Sequence, residues 1–266
     1  MNWTKNKHQF KVCYQPIVCL TTGQISGFEA LLRWQHPTQG YVSPVDFIPI
    51  AEDTGLIVPL GNWVLQTAIH QMSIWQQNFP YQLQKAKIAI NLSGKQLLQT
   101  NLIEQIENIL QAAKLDSSYL KLEITESLLM ENYDCAIFTL KKLSQLGVGL
   151  SIDDFGTGYS SLGRLQSLPV NSLKIDRCFI RQMDCSTEKS EIVRAIVTLA
   201  HSLKINVVVE GIETAKQLDL VRSLNCHQAQ GFYFAKPQDH NAIVTLLTKK
   251  LPWIHHFSDV NGDITN

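Results

Sequence analysis

The chain has 266 residues, 45% of them hydrophobic, which is ample for a sizeable buried core, and its 23 basic side chains balance 23 acidic ones. Neutral overall charge and the lack of a long basic run exclude the usual signature of a nucleic-acid polymer or membrane-surface binder. No apolar window reaches membrane-spanning length and the opening MNWTKNKHQF has no signal core, so no direct membrane insertion is expected and the sequence reads as cytoplasmic, or as the cytoplasmic domain of a larger protein.

Taken in chain order, short segments with strand character alternate with longer ones of helical spacing. QFKVCYQPIV opens the series, followed by the helical PLGNWVLQTAIHQMSIWQQ and the strand KIAINLS. KQLLQTNLIEQIENILQAA reads as one helix, LKLEITES as a strand, DCAIFTLKKLSQLG as a helix and VGLSIDDFG as a strand. NSLKID, TEKSEIVRAIVTLAHSLK, INVVVEG and TAKQLDLVRSL continue the alternation as strand, helix, strand and helix. Repetition of this kind needs helices covering a largely parallel sheet, and the number of units favours closing it into a barrel. No Gly-x-Gly-x-x-Gly follows the first strand, which removes the main signal of a dinucleotide-binding sheet. The six cysteines form no CxxC pair and read as reduced thiols rather than a zinc site.

Polar residues recur at one place in these units. Glu29 ends or nearly ends GQISGFEA, Asn91 follows KIAI, Glu123 lies within LKLEI, Asp153 and Asp154 close VGLSI, Lys174 falls in NSLKI and Glu210 closes NVVV. Ends of successive parallel strands converge at the C-terminal face of a barrel, so these side chains should form one acidic basin. Crowded carboxylates repel unless a cation neutralises them, and oxygen donors without histidine suit magnesium or manganese. Taken singly, each has a bland explanation: Asp154 before FGTG could shape a turn, and Glu210 and Glu213 could be first-turn helix charges. Lys174 reads equally as a neutralising partner or a catalytic group.

The stretches FEALLRW, VSPVDFIPIAEDTGLI, NLS, LEITESLLM, IDDFGTGYSSL, LKIDRCFI, VVEGIET and AQGFYFAKP resemble, in order, the motifs of the EAL domain family of cyclic di-GMP phosphodiesterases. The resemblance implies an α/β fold, a TIM-like (β/α)8 barrel variant with an antiparallel first strand. It implies hydrolysis of cyclic di-GMP to linear pGpG with two Mg2+ or Mn2+ ions. Glu29, Asn91, Glu123 and Asp153 would hold one ion, and Asp153 would bridge to a second completed by Asp154 and Glu210. Lys174 would position or deprotonate the attacking water, with Gln230 near it and Glu213 in support. Arg33 would contact a substrate phosphate, with Gln15, Asp176 and Pro237 also on the substrate, and Glu126 would anchor the FGTGYSSL loop.

Residues 1–257 are expected to form one barrel and 258–266 a flexible tail. The family resemblance adds a homodimer and, in a parent protein, an attached sensor or GGDEF domain. The competing readings are a receptor that binds cyclic di-GMP without cutting it, and a scaffold.

Overall fold

The computed structural model describes residues 7–131, 133–158, 162–181, 183 and 187–260; the end of the expected tail, Cys185 and the Tyr-Ser-Ser of the expected loop lie outside the described residues. Strand β1 (Phe10–Cys19) turns back at Gly23 and pairs antiparallel with β2 (Ile25–His36), with Gln15 opposite Glu29. From β2 the sheet runs parallel through β4 (Lys87–Asn91), β5 (Leu120–Thr125), β6 (Gly149–Phe155), β7 (Ser172–Ile175), β8 (Asn206–Val209) and β9 (Gln228–Ala229). β9 then pairs antiparallel with β1, which closes an eight-stranded barrel in which β1 runs against its neighbours. The short β3 (Gly40–Val42) sits outside the closure, as a hairpin on the far end of β2.

Two sequence-based boundaries shift. Glu29 stands in mid-strand rather than at a strand end, because β2 continues past the barrel to pair with β3; its pairing with β4 nevertheless stops at Ala30 opposite Ile90, which leaves Glu29 at the rim. The expected single helix over 95–113 is two, Gly94–Leu97 and Leu102–Ala113. Ser93 and Gln96 form a reciprocal cap on the first, and the chain turns through Gln99 before the second begins after Asn101. The sequence-based elements omit a helix at Pro44–Asp53, entered through Ser43 with proline in its first turn, and another at His240–Thr248 capped by Asp239. No helix among the described residues is long and apolar enough to cross a membrane.

Period-two alternation sorts the strand residues. Leu120, Leu122 and Ile124 of β5 face the helices and join the main apolar core with Ile88, Ile90, Leu150, Ile152, Leu173 and Val207. The alternate positions point into the barrel, where Ile17, Ala89 and Val208 form a small apolar layer of their own at mid-height. Above that layer the lining is acidic, and below it basic.

Candidate active site

Each rim side chain is delivered by the strand it sits on. Glu123 and Asp153 are inward positions of β5 and β6, Lys174 of β7, and Glu210 follows the last residue of β8, its N–H donating to the Ile175 carbonyl. Lys174 is fully buried, and its Nζ lies 2.6 Å from Glu210, 2.8 Å from Glu123, 3.1 Å from Asp153 and 3.4 Å from Glu29. One ammonium therefore faces four carboxylates. Glu29 is further held by amides: Asn91 Nδ2 donates to Oε1 at 2.8 Å and Gln230 Nε2 to Oε2 at 2.6 Å. Gln230 Nε2 also reaches Gln15 Oε1 at 2.9 Å, while Gln15 Nε2 donates to the Ala235 carbonyl.

The electrostatics divide this ring. Burial alone would raise the Glu29 carboxyl, but Lys174 and the Gln230 and Asn91 donors outweigh it and hold it below the usual range. Burial together with the negative charges of Glu29 and Asp153 pushes Glu123 up to about 8 against the pull of Lys174, and similar forces take Glu210 to about 7. Asp154 rises to about 6 through burial and the charge of Asp153. Lys174 goes the other way: burial would strip its proton, yet Asp153, Glu123, Glu210 and Glu29 hold it well above its ordinary value.

This donor set suits a hard divalent cation. Glu29, Glu123 and Asp153 each offer an oxygen within 4.8 Å of the others, and so do Asp153, Asp154 and Glu210, so that Asp153 belongs to both groups. Gln230 Oε1 is buried beside them with no partner among the described residues, and five carboxylates exceed what one lysine neutralises. The acidic cluster is compatible with Mg2+ or Mn2+ coordination.

The turn after the aspartate pair is built around backbone that few residues accept. Asp154 has φ +53°, and Gly156 follows at +96°, where a Cβ would come within 2.9 Å of the Phe179 ring. Glu126, buried immediately after β5, accepts the Gly156 N–H at 2.8 Å, and a Cβ on Gly158 would meet its carboxylate at 3.0 Å. Thr157 donates its N–H and hydroxyl back to the Asp154 carbonyl.

Not every expected residue joins the cluster. Arg33 lines an adjoining cleft of about 360 Å³ with Glu52, Asn91, Glu123 and Asp154, its guanidinium donating to the Leu32 carbonyl. Glu213 is exposed and lines a separate hollow with Arg177 and Arg181. It is not a first-turn helix charge, and neither is Glu210, because the helix begins at Ala215 with Thr214 as its cap. Asp176 caps the short helix Arg177–Ile180 by accepting the Cys178 N–H, and Pro237 is half-buried next to Gln238, which bridges to Tyr14. Sequence reasoning gave no role to Glu52 or Ile48 on the cleft wall; their only signal was the FIPIAED stretch.

The EAL domain model matches residues 4–237. The chain belongs to the EAL domain family. Two Pseudomonas aeruginosa proteins are similar to this EAL domain: the bifunctional diguanylate cyclase/cyclic di-GMP phosphodiesterase MucR, 43% identical over 231 residues, and the cyclic di-GMP phosphodiesterase NbdA, 41% identical over 230. The alignments cover 87% and 86% of this chain but 33% and 29% of those proteins, so the chain spans about a third of the curated relatives it matches. A solved structure described as the PaMucR phosphodiesterase in a c-di-GMP complex superposes on the EAL domain with a TM-score of 0.86 and 41% identity, over 91% of this chain and 96% of that one.

Proposed function

We infer that this EAL domain is a metal-dependent phosphodiesterase that hydrolyses cyclic di-GMP to linear pGpG. The observation that carries the reading is the pair of overlapping carboxylate groups sharing Asp153, set at the barrel rim beside an open cleft. The similarity to a phosphodiesterase solved with c-di-GMP supports the substrate.

Glu29, Asn91, Glu123 and Asp153 would hold one divalent cation, and Asp153, Asp154 and Glu210 a second. Bound there, the ions would supply an activated water and charge neutralisation at the phosphoryl oxygens. The protein's own contribution is placement. Glu126 fixes the loop that presents Asp154, and Gln230 and Asn91 fix the Glu29 carboxylate from two sides. In the metal-free site the surrounding carboxylates keep Lys174 protonated, and its ammonium would orient the water and counter negative charge growing on the phosphoryl oxygens. Arg33 at the cleft would take a substrate phosphate, with Gln15, Asp176 and Pro237 on the nucleotide and Glu213 supporting from the rim. Water adds to phosphorus, the bond to the ribose 3′ oxygen breaks, and that oxygen leaves with a proton.

A homodimer and an attached sensor or GGDEF domain belong to the same reading and rest on family resemblance. The test is chromatographic: purified protein with Mn2+ or Mg2+ converts cyclic di-GMP to pGpG, and excess chelator stops it. Tight binding with no product under any divalent ion would replace the enzyme by a receptor, and full turnover after chelation would remove the metal from the mechanism.

A further inference from the structure

The opposite mouth of the barrel holds a second cavity, of about 300 Å³, that the proposed reaction does not use. It opens among the first residues of the parallel strands, Lys87 of β4, Ser172 of β7, Asn206 of β8 and Gln228 of β9, and is bounded on its inner side by Ile17 and Ala89 of the apolar layer. Three lysines line it at graded depth: Lys85 is exposed, Lys87 half-buried, and Lys121 only 8% exposed. No hydrogen bond or salt bridge reaches Lys121 among the described residues, and the one carboxylate on its own strand, Glu123, stands one inward position further up β5. No aspartate, glutamate or arginine is among the lining residues. The hydroxyl of Ser172 is buried on the cavity wall with no partner among the described residues. Lys87 Nζ turns in over the chain at Gly149, 3.5 Å from where a Cβ would stand.

A buried ammonium without a counter-charge is costly, and two more lysines beside it raise that cost. Such an arrangement persists most readily where an anion completes it. We propose that this mouth is a binding site for a phosphate group, free or carried by a small monoester. Ammonium heads from β4, from the turn before it and from β5, with a hydroxyl donor on β7, suit a tetrahedral oxyanion approached from several sides. A planar carboxylate is matched better by the arginine fork, which the cavity lacks. At about 300 Å³ the cavity lies at the small end of ligand pockets, a size that suits a single phosphate or a small monoester.

The test is calorimetric titration of the whole chain in chelator, which removes metal-bridged phosphate binding at the other rim. Inorganic phosphate and glycerol 3-phosphate are titrated separately, with succinate as the planar dianion. Saturable binding of a phosphate probe is expected. Lys121→Met should weaken it by about tenfold or more, the loss of one charge-assisted contact. Lys85→Gln on the exposed rim should weaken it less, and Arg33→Gln at the opposite end should leave it unchanged. Tighter glycerol 3-phosphate binding marks a monoester site, and preference for inorganic phosphate marks a free-ion site. If Lys121→Met does not fold, Lys85→Gln and phosphate-induced shifts of the Gly27 and Gly149 amide resonances decide instead. No saturable binding, succinate binding as tightly as phosphate, or Arg33→Gln matching the lysine variants would overturn the proposal.

Discussion

The two ends of this barrel are lined from the same strands and carry opposite charge. β5 contributes Lys121 below and Glu123 above, and β7 contributes Ser172 below and Lys174 above. At the upper rim four carboxylates surround one lysine; at the lower mouth three lysines line a cavity with no carboxylate. Between them stands a single apolar layer of three side chains, Ile17, Ala89 and Val208. The comparison shows that inward alternation lets each strand place polar groups at both ends while apolar residues at mid-height keep the two fields apart. The proposed ligands, a cation above and a phosphate below, would each complete one end.

Removing the shared ligand should break the upper end most severely. Asp153→Asn takes an oxygen from both carboxylate groups, and turnover is expected to fall by on the order of 10³-fold with the fold intact, since the change relieves repulsion. Product formation and circular dichroism check both halves. Loosening the support without touching a ligand should cost less: Glu126→Gln gives up the charged acceptor for the Gly156 N–H and should lower kcat by about 10- to 100-fold with affinity for cyclic di-GMP nearly kept. Thinning the layer between the ends sharpens the comparison through stability. Val208→Ala should cost about 2 kcal/mol in urea unfolding, since Val208 is buried inside the barrel where little can collapse into the gap.

The smallest expected effect is that of pH. Glu123, Glu210 and Asp154 are raised to about 8, 7 and 6, so each must shed a proton before it can ligate a cation. Mn2+ affinity should therefore climb as pH rises through that window and level off above it. The stability these raised carboxyls contribute to the metal-free protein runs the opposite way, present below the ordinary carboxylate range and lost as pH rises through the folded values. Calorimetry with Mn2+ in buffers of different ionisation enthalpy measures the protons released.

The upper end was legible in the sequence because its groups recur at the ends of strand-like segments, a pattern that survives errors in element boundaries. Glu29 shows the limit: β2 runs on to His36, and what puts Glu29 at the rim is where pairing with β4 stops, a tertiary fact. The break at Leu98–Asn101 escaped notice because apolar spacing continues across it, and the capping pair Ser93 and Gln96 was the overlooked clue. The basic mouth was invisible for a different reason. Lys85, Lys87 and Lys121 are ordinary lysines near strand starts in a chain of zero net charge, and only barrel closure brings them to one cavity. Glu213 could be assigned by motif alone, and the structure leaves it exposed, lining a hollow with Arg177 and Arg181.

Metal stoichiometry tests the sharing of Asp153 between two carboxylate groups most directly. Equilibrium dialysis against Mn2+ should find two ions per chain, one for each group. Asp154→Asn, which touches one group, should leave one ion, and Asp153→Asn should leave none bound with comparable affinity. Two tightly held ions in the Asp153→Asn protein would contradict the account.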